Sequence, residues 1–431
     1  MIIKLSYESL TSLVDLMRSV TATKNLQEDM KVINFFVKDN KLCALGTDGQ
    51  LYCLDEVEGN YDLEGETNPY MVVRIKELFD ILSKYSSLQR TVVKEITLAT
   101  QPKCVLMSIE EASKDVKDGS YDFTDMFKNQ IVKYKLNRSD VRALVTRELP
   151  SMVLPDNYVE IESKKLQKYL EYMHAPMAKP RDISIMHFDP EFVYSIMGNV
   201  YGVAMPNHLP PEIFSGLSIP LQYVTFLKNL IPKHDKFKIY KNVEVKKLSE
   251  TEGDEDWNIR RFVTLYIESG TTLVKLKVAD NTNSASTKSF KQKFDNIIVV
   301  DKLYFIDMLK RYEGFDQVFL EITITPNASI QGSSDASFVI KTATNKQTIP
   351  VKSAQGSGEF KFMLRPESLG LMAFTHLTKD LDGKSDKIVD LIFCLDNSEK
   401  GVVSLSCRDR SDDWETRYPK APCKEAPKLD F

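Results

Sequence analysis

The chain has 431 residues, of which 42% are hydrophobic and 27% charged, and a formal net charge of −4. That length suits about three domains of ordinary size, each able to bury a core. The charge excludes a uniformly basic nucleic-acid binder, so any attraction to DNA has to come from how the charge is distributed.

The predicted elements repeat in chain order. Ile2, Ile3 and Leu5 open the first unit as a strand, and Ser6 caps a helix over Tyr7–Val20 with Leu10, Leu13, Val14 and Met17 on one face. Strands follow at Val32–Val37, Leu42–Leu45 and Leu51–Leu54, with Asp39–Asn40 and Asp48–Gly49 as hairpin turns. The second unit reads as strand Met71–Arg74, helix Ile75–Ser86, and strands Glu95–Ala99 and Cys104–Ile109. A polar loop spans Glu110–Met126. After the proline-bearing linker Leu149–Asp156, the third unit carries strand Tyr158–Ile161 and helix Ser163–His174. Its strands are Ile183–Phe188, Phe192–Met197 and Tyr201–Met205. The fourth has strand Leu217–Ile219, helix Leu221–Lys233, and strands Phe237–Tyr240, Phe262–Ile267 and Leu273–Val278. The acidic stretch Ser249–Asp256 reads as a solvated excursion.

A second polar linker, Asn281–Ser289, leads to the fifth unit: strand Ile297–Val300, helix Lys302–Tyr312, and strands Val318–Thr325, Phe338–Lys341 and Thr348–Val351. The sixth has strand Phe360–Leu364, helix Arg365–Lys379 with Pro366 just inside its start, and strands Ile388–Leu395 and Val402–Ser406. Trp414–Tyr418 is a candidate last strand, and a loose tail follows from Pro419. Helices thus recur at intervals of roughly 57 to 88 residues. Paired units give three domains, at 1–150, 151–290 and 291–418, with 419–431 as a tail. Each would hold two helices on one face of curved antiparallel sheets, an α+β architecture.

No catalytic signature rides on this repeat. There is no Walker loop, HExxH, GxSxG or GxGxxG, and the five histidines lack metal-ligand spacing. We therefore expect no enzyme, no cofactor and no metal, and read His187 as a satisfied sheet residue. The six cysteines form no CxxC pair and read as reduced, mostly buried thiols of a cytoplasmic protein. The opening MIIKLSYESL lacks the features of a signal peptide, and no apolar run reaches the ~18 residues a membrane span needs.

Charge is segregated. The six helix spans hold thirteen Lys or Arg against seven Asp or Glu, +6 net, which leaves −10 for the rest. An acidic body with basic helices suits a protein that turns its helical face to a polyanion, rewarded by counterion release without regard to sequence. Helix propensity also favours Lys and Arg, so the excess alone leaves an ordinary solvated face open.

Four stretches, in this order, resemble the bacterial-type DNA sliding clamp, the β subunit that makes replicative polymerases processive. They are LGTDGQLYCLDEV (Leu45–Val57), VRIKELFDILSKY (Val73–Tyr85), ELPSMVLPDNYVEIESKKLQKYLEYMHAPMA (Glu148–Ala178) and YGVAMPNHLPPEIFSGLSIPLQYVTFLKNL (Tyr201–Leu230). The resemblance implies three similar clamp domains per chain, and a homodimer closed head to tail with helices lining a hole for duplex DNA. A helix of about a dozen residues is roughly 18 Å long, and twelve of them surround a duplex loosely. The trimeric clamp of archaea and eukaryotes fits less well, since it uses two domains per chain. A scaffold of repeated βα units that does not encircle DNA is the alternative.

By the resemblance, Lys24 matches a basic position that touches DNA, and Lys179 and Arg181 follow the third helix at a comparable turn. Lys76, Lys84, Lys164, Lys168, Lys228, Lys310 and Arg311 join them from the helices. Each also suits an ordinary surface cation. The resemblance further implies a pocket that captures short linear peptides of the polymerase, the clamp loader and repair proteins. Met197, Val200, Phe290, Phe294, Val402, Tyr418 and Pro419 would line it. Plain core roles stay open for Met197 and Val200. The family ends in a Met-Pro-Met-Arg-Leu-like strand, whereas here Tyr418-Pro419-Lys420-Ala421 stands in its place and the chain continues to Lys428-Leu429-Asp430-Phe431. That end is itself a candidate to dock in the pocket. The implied setting is the bacterial cytoplasm or, for a viral member, the infected host cell.

Overall fold

The computed structural model describes residues 1–21, 31–63, 70–87, 91–113, 130–137, 152–178, 185–197, 201–247, 259–280, 294–327, 334–364, 366, 390–397 and 403–409. The sixth predicted helix, apart from Pro366, and the segment from Arg410 onward lie outside them.

Strand β1 (Ile2–Leu5) leads into α1 (Tyr7–Val20), whose start is set by Ser6: its side chain accepts the Ser9 backbone N–H at 3.0 Å. Leu10, Leu13, Val14, Leu16, Met17 and Val20 form the buried stripe of this helix. The hairpin of β2 (Val32–Lys38) and β3 (Lys41–Thr47) closes through Asp39 and Asn40, both at positive φ (51° and 59°), the pair a tight two-residue turn requires. The next turn, into β4 (Leu51–Glu56), is held by Asp48, whose carboxylate accepts the N–H groups of Gln50 and Leu51. Gly46 on β3 lets α1 approach: a Cβ there would meet the Met17 Sδ at 2.7 Å.

The short β5 (Asn60–Asp62) is followed by β6 (Tyr70–Arg74), α2 (Ile75–Ser86), β7 (Thr91–Thr100), β8 (Cys104–Ser113) and β9 (Gln130–Asn137). Next come β10 (Val159–Glu162), α3 (Ser163–Ala178), β11 (Ile185–Phe188), β12 (Phe192–Met197), β13 (Tyr201–Pro206), a one-turn helix α4 (Pro211–Phe214), β14 (Leu217–Pro220) and α5 (Leu221–Leu230). Strands β15 (Lys236–Lys247), β16 (Ile259–Ser269) and β17 (Thr272–Asp280) follow. Last are β18 (Asn296–Asp301), α6 (Lys302–Lys310), β19 (Val318–Pro326), β20 (Ser334–Lys341), β21 (Lys346–Ile349), β22 (Val351–Gln355), β23 (Gly358–Leu364), β24 (Asp390–Asn397) and β25 (Val403–Asp409).

One antiparallel pairing scheme occurs three times, within 2–137, 159–280 and 296–409. A first hairpin strand pairs with the strand that opens the second half: β2 with β6, β11 with β14, β19 with β23. The opening strand of each round pairs with the strand after the second helix position: β1 with β7, β10 with β15, β18 with β24. Outward of these run β3–β4, β12–β13 and β20–β21 on one side. On the other run β8–β9, β16–β17 and β25. The sixfold periodicity of the sequence is thus a threefold repeat of topology.

The chain forms two compact units, Met1–Ser163 with Thr225–Ala279, and Lys164–Val224 with Asp280–Phe431. In the first unit, β4 pairs with β17 from Asp55↔Thr272 to Leu51↔Leu276, joining an outer strand of the first round to an outer strand of the second. Asp55 clamps this seam: its Oδ1 accepts the hydroxyls of Thr271 at 3.1 Å and Thr272 at 2.9 Å. Glu56 and Lys277 add backbone bonds to Thr271 and Gln50. Asp55→Ala should cost about 1 kcal/mol, read as a lower urea midpoint at unchanged slope.

Several expectations need correction. The helix read to His174 runs on to Ala178, and the one read to Lys233 ends at Leu230 and tightens into a 3-10 turn over Ile231–Lys233, where Pro232 has no N–H to donate. Strands read as Phe237–Tyr240 and Phe262–Ile267 are far longer, and β5, β9 and α4 fall outside the predicted elements.

His187 sits in the β11 sheet as expected. Its Nδ1 lies 2.9 Å from the Ser218 Oγ, and its ring stacks on Tyr194 at 5.0 Å. Burial lowers its pKa below the usual 6.5, so the unfolded chain takes up the proton first. Stability should therefore fall as pH drops below about 6.5, and the decline in Tm between neutral pH and pH ~5 should be smaller in His187→Gln.

Candidate nucleic-acid interface

The helices carry the predicted cations, but unevenly. α1 and α2 pack together: the Tyr7 hydroxyl donates to the Leu82 carbonyl at 3.0 Å, and the Arg18 guanidinium lies over the Phe79 ring at 4.0 Å. Lys76 and Lys84 are exposed as expected, yet Glu8, Asp15 and Asp80 are exposed on the same two helices and offset them together with Arg18. Glu77 is turned away, accepting the backbone and side-chain N–H of Asn137 at 2.8 and 2.7 Å. The solvent side of this pair is close to neutral.

α3 differs. Lys164 and Lys165 are exposed and Lys168 is half-buried, while the helix's one acidic residue, Glu171, accepts from the Gln167 amide at 2.9 Å. Leu166, Tyr169, Leu170 and Met173 bury the opposite face, and the Tyr169 hydroxyl accepts the His208 N–H at 2.9 Å. α5 carries Lys228, half-buried, and no acid. On α6, Lys310 is exposed but paired with Asp307 at 3.0 Å, and Arg311 is exposed at its end.

Lys302 corrects the charge count. It is wholly buried, at 0% exposure, and adds nothing to a solvent-facing field. It lies three residues before Phe305 and so falls on the apolar stripe of α6, a position helical spacing already marks. What sequence reasoning missed is the other side of α6. Leu303 and Tyr304 are 54% and 42% exposed, and Phe315 just beyond is exposed too. Counting from the helix start, the matching residues are Glu8 and Ser9 on α1 and Lys164 and Lys165 on α3. Of these three helices, α6 alone puts apolar side chains there.

Lys24, Lys179 and Arg181 lie outside the described residues, as do Val200, Phe290, Val402, Tyr418 and Pro419. Of the expected pocket, the backbone of Met197 ends β12 opposite Tyr201, and Phe294 is half-buried ahead of β18. Among the described residues, no group of three or more His, Cys, Asp or Glu is placed to hold a metal, and no helix is long and apolar enough to cross a membrane. Cys43, Cys53, Cys104 and Cys394 are buried free thiols, and burial pushes Cys43 and Cys53 up in pKa, away from reactivity.

No family model and no curated protein sequence matches this chain. Solved structures do. A DNA polymerase III beta subunit from Thermotoga maritima aligns with a TM-score of 0.65 over 99% of this chain and 100% of its own, at 11% identity. The Borrelia burgdorferi subunit, solved in complex with a natural product, gives 0.66 over 99% of each chain at 9% identity. This chain has the bacterial sliding-clamp fold. A DNA polymerase sliding clamp from Pseudomonas aeruginosa, solved with a ligand, aligns at 0.62 over 98% of this chain and 99% of its own, at 13% identity.

Proposed function

We propose that the chain is a DNA sliding clamp. Two copies close head to tail into a ring around duplex DNA, which tethers the replicative polymerase and other partners. It acts as a tether, not a catalyst, and works in the cytoplasm where the DNA is copied. The three rounds of topology correspond to domains at 1–150, 151–290 and 291–418.

The observation that carries this is the β4–β17 seam, which joins an outer strand of round one to an outer strand of round two. The repeat supplies two more such pairs of outer strands. β13 is the counterpart of β4; β25 takes the place of β16, so the counterpart of β17 would come after it in the chain, and together with β13 it would complete a second seam. That leaves β21, the counterpart of β4 in the last round, and β9, the counterpart of β17 in the first. A second copy offers the complementary pair, and two copies leave no such edge open. Ile131 on β9, 61% exposed, supports a partner there.

DNA contact rests on the α3 lysines and, by resemblance, on Lys24, Lys179 and Arg181, all against phosphate and none against base edges. Partners would dock as short peptides at the pocket implied by Met197 and Phe294. Light scattering tests the reading first: the ring requires twice 49.3 kDa. Protein loaded on nicked circular DNA should stay through a high-salt wash and leave once the circle is cut. Equal retention on linear and circular DNA would leave only a scaffold.

A further inference from the structure

β9 and β17 hold the same place in two rounds of the repeat, yet they are anchored differently. On β17 the inward row Thr272, Val274, Leu276 and Val278 is buried throughout. On β9 the matching row is Val132, Tyr134 and Leu136, and of these Leu136 alone is fully buried. Apolar packing holds β17 down, and β9 has less of it.

α2 supplies what β9 lacks. Near the start of the helix, the Glu77 carboxylate accepts the Asn137 backbone N–H at 2.8 Å and the Asn137 side-chain amide at 2.7 Å. Near its end, the Tyr85 hydroxyl donates to Glu111 on β8 at 2.6 Å and lies 3.1 Å from the Tyr134 hydroxyl. Tyr85 directs its one proton to Glu111, so Tyr134 is the donor between the two phenols. Burial, with the bonds to Glu111 and Tyr134, pushes the Tyr85 pKa above its ordinary 10 and keeps that proton in place. The contacts are spaced alike on the two elements. Glu77 to Tyr85 is a helical rise of about 12 Å, and Tyr134 to Asn137 is a strand rise of about 10 Å. The start of the helix meets the end of the strand, so α2 runs against β9 and pins it at two points.

We propose that Glu77 and Tyr85 are positioning residues for the seam between copies: α2 holds β9 in the place that a second copy meets. The inference rests on the ring reading, in which β9 faces β21 of another copy. A strand seam needs peptide groups set at ladder spacing, and an edge that swings free must be ordered at the moment of pairing, which lowers affinity. Packing does that ordering on β17, whose seam with β4 lies within the chain. On β9 a polar latch does it, with Glu77 half-buried and Asn137 exposed. Hydrogen bonds at such a site open more readily than a packed core. A ring that admits a DNA circle has to part at one seam, and the latch places the looser anchoring at the seam between copies.

The test measures the dimer dissociation constant of the full chain by analytical ultracentrifugation, with hydrogen–deuterium exchange on samples diluted to monomer. Glu77→Ala and Tyr85→Phe should each weaken the dimer about tenfold. Each should also speed exchange of the Val132–Leu136 amides, while those of β7 keep wild-type protection. Glu77→Gln should restore most of the dimer, since its carbonyl oxygen still accepts the Asn137 N–H. Glu77→Gln no better than Glu77→Ala would overturn the inference, as would protection lost equally from β7, the mark of plain destabilisation. A dimeric wild type with unmoved variants overturns the inference alone. A wild type that stays monomeric overturns the ring reading and takes the inference with it.

Discussion

In the proposed ring, Leu303→Glu combined with Tyr304→Glu should convert the dimer to a 49.3 kDa species in light scattering and abolish its retention on circular DNA. The expectation comes from one contact read through the repeat. Lys233, just past α5, donates to Ser12 on α1 at 3.3 Å, beside the β4–β17 seam. Ser12 is the sixth residue of α1; the sixth of α6 is Asp307, and Leu303 lies four residues before it on the same face. The face of α6 that matches the seam face of α1 is therefore the one carrying exposed apolar side chains. In the proposed ring, its seam would be made with another copy. Burying a leucine side chain is worth about 1.5–3 kcal/mol, and a head-to-tail dimer buries each residue twice. Replacing them with carboxylates removes that gain and adds a desolvation cost, so the dimer constant should weaken by about a thousandfold or more. The fold should survive, because both side chains already face water in the single chain. A double variant that remains a dimer would remove this face from the ring.

Much of the fold was legible because its helices and strands announce themselves by period. Leu10, Leu13, Val14 and Met17 specify α1, and Asp39–Asn40 specifies its hairpin turn. The misses share a physical cause. In β15, Lys241, Asn242, Glu244 and Lys246 interrupt the apolar pattern, and Val243 and Val245 are exposed, so packing does not select the residues of that stretch. β9, with an exposure pattern almost wholly polar or open, is an edge strand for the same reason. The site was less legible than the fold. Counting Lys and Arg on helices treats each as solvent-facing, whereas Lys302 is buried, Lys310 is neutralised by Asp307 and the lysines of α2 are balanced by neighbouring acids. Charge in sequence becomes a field only after the fold decides which side chains point the same way.

That distinction gives the second large effect. Lys164→Glu, Lys165→Glu and Lys168→Gln together should weaken DNA binding far more than Lys76→Glu with Lys84→Glu. α3 carries three lysines against a single acid, Glu171, so the helix has a net charge of +2, three minus one. On duplex DNA each phosphate contact adds about 0.9 to the slope of log K against log salt, so losing three flattens the slope by roughly 2 to 3. The α2 pair stands among Glu8, Asp15 and Asp80, where a phosphate gains little, and its reversal should move the slope by well under that amount. The measurement is a salt titration of binding to a short duplex, with circular dichroism to confirm that both variants keep their helices. Equal slopes for the two variants would mean that the DNA-facing charge is spread around the helices and not concentrated on α3. A slope unchanged in both would move it to Lys24, Lys179 and Arg181, the cations between elements.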